Sequence, residues 1–229
     1  MSWLGPQEWQ AVALSLRVAT VATLASLPFA IGMAWLLARR RFPGHALLSA
    51  VIHLPLVMPP VVTGYLLLMS FSRNSAFGGF LDRIGLSPAF HWTGAALAAG
   101  IMGFPLMVRA IRLGFEAVDP RLEQAAGTLG AGRAAVFLTV TLPLILPAVL
   151  AGLVLGFAKA MGEFGATITF VANIPGQTQT VPSAIYAFLQ VPGGEGPALR
   201  LVVVSITIAV LAVVLSEVMA RRAGARRAA

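Results

Sequence analysis

Residues 134–158 read AAVFLTVTLPLILPAVLAGLVLGFA, an apolar run without one formal charge. About 20 apolar residues suffice for a helix to cross the hydrocarbon core of a bilayer. Hydrophobic residues make up 58% of the 229-residue chain, charged residues only 10%, and the mean hydropathy is +0.87. A soluble domain of this length needs a polar surface that this composition does not supply, so the apolar surface faces lipid. There every backbone N–H and C=O must be satisfied internally, which leaves helices and closed barrels. Runs this long are helical runs. The length suits a single domain, 1–229.

Working outward, the same reading gives five spans: roughly Ala11–Ala38, Leu47–Phe71, Trp92–Val108 with an extension towards Leu113, Ala134–Ala158, and Leu201–Met219. Five crossings put the termini on opposite sides. Eleven basic residues fall on one side: Arg39, Arg40, Arg41, Arg109, Arg112, Arg121, Arg133, Arg221, Arg222, Arg226 and Arg227. Five fall on the other: Arg17, Arg73, Arg83, Lys159 and Arg200. The richer side is expected to be cytoplasmic, with the N-terminus outside and the C-terminus inside. The net charge of +8 therefore reads as membrane topology, and no nucleic-acid partner is expected. No cleavable leader is evident before the first span. With no cysteine there is neither a disulfide framework nor a thiolate metal site.

Residues 164–194 carry no formal charge, yet are rich in Thr, Asn and Gln. Phe164–Ala172 reads as a prolongation of the fourth helix, and Pro182–Gln190 as a short helix with Pro182 in its first turn. A sixth segment, re-entrant or spanning, stays open here. Leu54-Pro55-Leu56-Val57-Met58-Pro59-Pro60 in the second span and Leu142-Pro143-Leu144-Ile145-Leu146-Pro147 in the fourth look alike, and both predict bent helices. Such a bend serves either a transport pathway or ordinary helix packing.

The segment Phe115–Pro147 is amphipathic where it leaves the membrane. Asp119-Pro120 is a helix start, an aspartate N-cap followed by proline at the first helical position. Gly127 and Gly130 supply conformational freedom for a break, and a second helix is expected from about Arg133 into the fourth span. The loop at about 114–136 is thus a short helix, a glycine elbow and another helix. Small side chains, Ala125 and Ala126, lie beside charges, which suits docking into a groove on another protein.

This loop resembles the cytoplasmic loop of the permeases of binding-protein-dependent ABC importers, whose pattern is Glu-Ala-Ala, three residues, Gly, nine residues, then Ile-x-Leu-Pro. Here Gln124-Ala125-Ala126, Gly130 and Val140-Thr141-Leu142-Pro143 keep every spacing, with Gln124 and Val140 as the departures; Glu123 keeps a carboxylate one place earlier. Gly162-Glu163-Phe164-Gly165-Ala166-Thr167, His53-Leu54-Pro55 and Phe104-Pro105-Leu106-Met107-Val108-Arg109 extend the likeness over nearly the whole chain to the bacterial molybdate permease family; sulfate and thiosulfate permeases look like more distant relatives. The resemblance implies an inner-membrane helical bundle that works as a homodimer. It implies two copies of an ATP-binding subunit inside and a molybdate-binding protein outside. It places contact with the ATP-binding subunit at Glu123, Gln124, Ala125, Ala126, Gly130 and Gly132, and implies alternating access driven by that subunit.

The chain's own chemistry fits a driven subunit. A phosphate-binding loop needs Gly-x-x-x-x-Gly-Lys-Ser/Thr, and the one lysine, Lys159, is followed by Ala160. No nucleophile–base pair or metal cluster stands out, so ATP and Mg are expected in the partner and no cofactor in this chain. Candidate pathway residues are Pro59, Pro60, Glu163, Thr167 and Thr169. Lys159 and Glu163, four apart, can pair along a helix, and both threonines can instead bond their own backbone. His53 reads as a packed, hydrogen-bonded residue. Arg17 reads as snorkelling to the outer interface. Trp3, Trp9 and Trp92 suit an interfacial belt, with Trp35 near the inner face. Molybdate, tungstate and sulfate are all tetrahedral dianions, so the anion rests on the resemblance alone. A secondary transporter working alone would need no docking loop.

Overall fold

Proline and glycine set most of the helix ends. The computed structural model describes residues 3–228, with side chains as far as Leu215 together with Val218. The side chains of Arg221, Arg222, Arg226 and Arg227, counted above for topology, lie outside that description. Helix α1 (Pro6–Arg39) opens on Pro6, and α2 (His45–Val57) is followed by α3 (Pro60–Phe71) and the short α4 (Ala76–Arg83). Helix α5 (Trp92–Ala117) leads into α6 (Pro120–Thr128). Next comes α7 (Arg133–Val136), which runs through a π-helical turn (Phe137–Thr141) into α8 (Leu142–Met161). Helices α9 (Gly165–Val171), α10 (Val181–Leu189) and α11 (Glu195–Ala228) complete the chain. Among the described residues, α1, α5, the run Arg133–Met161 and Glu195–Leu215 are each long and apolar enough to cross a membrane; α2 and α3, joined at a sharp bend, add a fifth when the pair is counted as one broken span.

Helix α5 is the axis of the bundle, packed between α1 and α8. Small residues make this possible. A Cβ on Gly103 would sit 3.2 Å from the Gly156 carbonyl, and one on Gly156 would sit 2.6 Å from Met107 Sδ. Ala95, Ala98 and Ala99 are fully buried on the same helix. In lipid, where apolar burial adds little between helices, such backbone approach supplies the van der Waals contact that holds them. One core gathers around Val18, Met102 and Phe170, and a second, towards the α6 end, around Met107, Ile111, Phe115 and Ile145.

Two expectations need correction. The prolines of the second and fourth spans do not act alike: α2 and α3 are bent by 110°, whereas α8 continues through Pro147. A residue preceding proline is pushed out of the α region. In Met58-Pro59-Pro60 two successive residues precede a proline; Met58 (ψ 144°) and Pro59 (ψ 132°) are both extended, and the helix breaks. Pro143 and Pro147 are isolated from one another. Leu142 stays helical (φ −61°, ψ −46°), and the π turn just before Pro143 is the kind of local adjustment that accommodates a missing N–H.

Nor does Phe164–Ala172 prolong the fourth helix. Helix α8 stops at Gly162 and α9 restarts three residues later. Residues 164–194 hold only α9 and α10, and a nine-residue α10 spans roughly 13 Å, too short to cross. Neither α9 nor α10 is long enough to cross on its own. The short helix expected at Pro182–Gln190 is present as Val181–Leu189, with its proline in the first turn. The polar loop between α9 and α10 is docked on α1: Ser15 Oγ accepts from Val181 N–H at 2.7 Å, and Gln7 Nε2 donates to Gln179 Oε1 at 3.0 Å. Glu8, buried at the start of α1, accepts two hydrogen bonds from Arg200 of α11, at 2.8 and 3.0 Å. These ties join the first and last helices at the end opposite α6.

Candidate functional site: a presented helix and a pair of helix breaks

Helix α6 starts as its sequence demands. Asp119 Oδ1 accepts from Arg121 N–H at 2.9 Å, and Pro120 occupies the first turn. Its end is set by Gly130 alone. Gly130 has φ +87°; Ala131 N–H reaches back to Ala126 C=O at 3.2 Å and Gly130 N–H to Gly127 C=O at 3.1 Å. This is the paired bonding of a Schellman cap, which needs a left-handed residue at its turn. Gly127, expected to share that role, stays within the helix. Gly132 is extended (ψ 159°) and caps α7.

The two faces of α6 differ. Glu123 turns towards its own bundle. Its Oε1 accepts from Arg39 Nη2 at 3.1 Å and from Thr141 Oγ1 at 2.8 Å, and Arg39 Nη2 also donates to Val118 C=O at 3.3 Å. One carboxylate thus joins α6 to the end of α1 and to the π turn before α8. Gln124 and Ala125 are exposed and Ala126 is half-buried. Leu122 is exposed as well, and Leu129, beside the elbow, is 89% exposed. Sequence reasoning missed Leu129 and the inward role of Arg39. An apolar residue at the end of a polar helix was the available signal for the first; the second needed the fold. A small apolar surface with a rigid elbow, pinned from behind by a half-buried ion pair, is what a docking element requires.

The second group of candidates comes together away from α6. Helix α3 lies on α9 so closely that a Cβ on Gly64 would be 2.5 Å from Ala166 C=O, and one on Gly165 would be 2.8 Å from Pro60 Cβ. The break at Pro59-Pro60 therefore meets the break at Gly162–Phe164. Glu163, 2% exposed, is held by both neighbours: Lys159 Nζ donates at 2.6 Å and Ala166 N–H at 3.0 Å. The carboxylate caps the restart of α9 while the ammonium neutralises it. Thr167 Oγ1 donates to Phe164 C=O at 2.9 Å and Thr169 Oγ1 to Gly165 C=O at 2.8 Å, so both hydroxyls are engaged by local backbone. Pro59 and Pro60 are exposed at the start of α3. Gly64 was not singled out in the sequence; its role depends on a partner helix a hundred residues away. Ala172, just after α9, holds φ +63° and ψ −160°, a region that costs a residue with a Cβ about 1–3 kcal/mol.

Elsewhere, His53 Nδ1 lies 2.7 Å from Ser49 C=O, and the Arg17 guanidinium stacks 3.8 Å over the Trp92 ring. Among the described residues no group of three or more His, Cys, Asp or Glu could hold a metal ion.

The chain is thus a polytopic helical bundle with two facing helix breaks and a short, exposed helix at one end. Residues 26–224 match the binding-protein-dependent transport system inner membrane component, and the chain belongs to that family. It is 60% identical over 215 residues to the molybdenum transport system permease protein ModB of Escherichia coli K12, covering 93% of this chain and 94% of that one. It is 56% identical to the protein of the same name from Haemophilus influenzae, over 94% of each. To the sulfate transport system permease protein CysT of Salmonella typhimurium it is 38% identical, over 83% of this chain and 71% of that one. Its fold is similar to that of a bacterial ABC transporter involved in the import of the acidic polysaccharide alginate (TM-score 0.74, 18% identity, 95% of this chain and 80% of that one). It is also similar to the MetNI methionine ABC transporter (TM-score 0.69, 12% identity, 94% of each).

Proposed function

We propose that this chain is the membrane permease subunit of an ATP-driven, binding-protein-dependent importer of molybdate. Two copies of it would form the pathway, embedded in membrane lipid. Two copies of an ATP-binding subunit would dock on the α6 side, and a molybdate-binding protein would deliver the anion from the other side. ATP and Mg belong to the docked subunit, and the chain itself catalyses nothing. The α6 side is then cytoplasmic, the N-terminus outside and the C-terminus inside, in keeping with Arg39–Arg41, Arg121 and Arg133 at that end.

The observation that carries the reading is α6 itself, exposed along Leu122, Gln124, Ala125 and Leu129 and pinned from behind by Glu123. The choice of molybdate over sulfate follows the stronger identity to the molybdenum permeases, 60% against 38%. Closure of the ATP-binding subunits would move α6, and through Glu123 the ends of α1 and α8, so that the bundle rocks as a rigid body. The facing breaks at Pro59-Pro60 and Glu163–Phe164 offer the pathway its irregular backbone, with the N-terminal end of α3 favouring an anion. In this reading Glu163 does not repel the cargo, since Lys159 neutralises it.

Ala126→Leu tests the docking. The variant is expected to reach the membrane and fold, but to lose co-purification with the ATP-binding subunit and to lose uptake. Normal uptake by that variant removes the docking role of α6.

A further inference from the structure

A pocket of about 310 Å³ lies between α2 and α5, lined by Ser49, His53, Arg109, Arg112, Leu113 and Glu116. Its charges do not cancel. Arg112 Nε donates to Glu116 Oε1 at 2.7 Å, whereas Arg109 has no hydrogen-bond or ion-pair partner among the described residues. Arg109 is exposed and lies on a helix otherwise apolar enough to cross a membrane. It sits roughly 12 Å inward from the α6 end of α5, and His53 at about the same depth from the start of α2, so the two face one pocket from antiparallel helices. His53 Nδ1 is committed to Ser49 C=O, which leaves its Nε2 as the remaining polar atom of the ring, with Arg109, Arg112 and Glu116 the charged groups around it. Two arginines against one carboxylate leave the pocket net positive, and the forked donors of Arg109 match two oxygens of a tetrahedral oxyanion.

We propose that this pocket binds a tetrahedral oxyanion group through Arg109, with Ser49, His53 and Arg112 as its polar walls. The group is either the transported anion at the α6 end of its path or the phosphate of an anionic lipid. The proposal goes beyond the function stated above, because binding of a lipid phosphate does not depend on what the chain transports; the cargo alternative rests on that function. A residue that only marked topology would be replaced by lysine without effect; a forked anion ligand would not.

The test uses the assembled complex in nanodiscs of phosphatidylcholine with a tenth phosphatidylglycerol. Molybdate binding is read by equilibrium dialysis without the outer binding protein, and retained phosphatidylglycerol by lipid extraction. Arg109→Gln should weaken one of the two about ten- to a hundredfold. Arg109→Lys, which preserves the charge should the glutamine variant fail to assemble, should still lose about tenfold. Arg40→Gln, a basic residue outside the pocket, should change neither. Loss of molybdate alone assigns the cargo; loss of phosphatidylglycerol alone assigns a lipid. Wild-type binding of both ligands by Arg109→Lys and Arg109→Gln overturns the site while leaving the importer reading intact, since ATP hydrolysis stimulated by the loaded outer binding protein, read in the same nanodiscs, reports on that reading separately.

Discussion

Replacing Glu123 by alanine removes the carboxylate that holds α6 against its own bundle. Two hydrogen bonds are lost, from Arg39 Nη2 at 3.1 Å and Thr141 Oγ1 at 2.8 Å. A hydrogen bond to a charged group contributes about 1.5–3 kcal/mol when shielded, and a fully exposed ion pair about 0.2–1. The pair here is intermediate, with side chains 16% and 27% exposed, so about 2 kcal/mol is a fair figure for the tether. That is roughly a thirtyfold shift from the pinned towards the loosened position of α6. The ATP-binding subunit would have to order the helix as it docks, and its affinity should fall by about ten- to thirtyfold. The assay is binding of that subunit to the purified permease in nanodiscs. Arg39→Ala should weaken binding by a similar factor, and the double variant by little more than either single one, because both changes remove the same contact. An unchanged affinity for Glu123→Ala, or single effects that multiply in the double variant, would refute the tether.

Three further outcomes follow from the packing. Gly130→Ala places a Cβ at φ +87° and should cost about 1–2 kcal/mol of the elbow, read as weaker subunit binding with unchanged membrane insertion. Lys159→Met leaves the Glu163 carboxylate buried without its cation and should destabilise the chain by about 3 kcal/mol, seen as a lower melting temperature that Lys159→Met with Glu163→Gln partly restores. Gly64→Ala drives a Cβ to 2.5 Å from the Ala166 carbonyl, and the forced separation of α3 and α9 should cost about 1–3 kcal/mol, visible as lower yield of folded protein and slower uptake.

How far the sequence could be read depended on the range of the interaction involved. The start of α6 was legible because Asp119 and Pro120 act on their own turn, and α10 was legible because Pro182 does the same. The spans were legible from run length and charge. The different fates of the two proline motifs were open to local reasoning as well, since a doubled proline makes two successive residues extended while a lone one is absorbed by a π turn; treating the motifs as equivalent hid this. Glu163 shows the next level. Its pairing with Lys159 follows from spacing, yet its role in restarting α9 depends on the Gly162 break. Glu123 and Gly64 mark where sequence reasoning ends. Whether Glu123 faces a partner or its own Arg39, and which backbone Gly64 touches, are decided by helices distant in the chain.

The central claim, that this chain is driven through α6 to carry molybdate, meets its most direct test in ATP hydrolysis by the assembled complex in proteoliposomes. The outer binding protein is added loaded with molybdate, tungstate or sulfate. The account predicts stimulation by the molybdate-loaded protein, abolished by Ala126→Leu in the permease, and none by the sulfate-loaded protein. Stimulation by sulfate alone, or molybdate stimulation that survives Ala126→Leu, would contradict it.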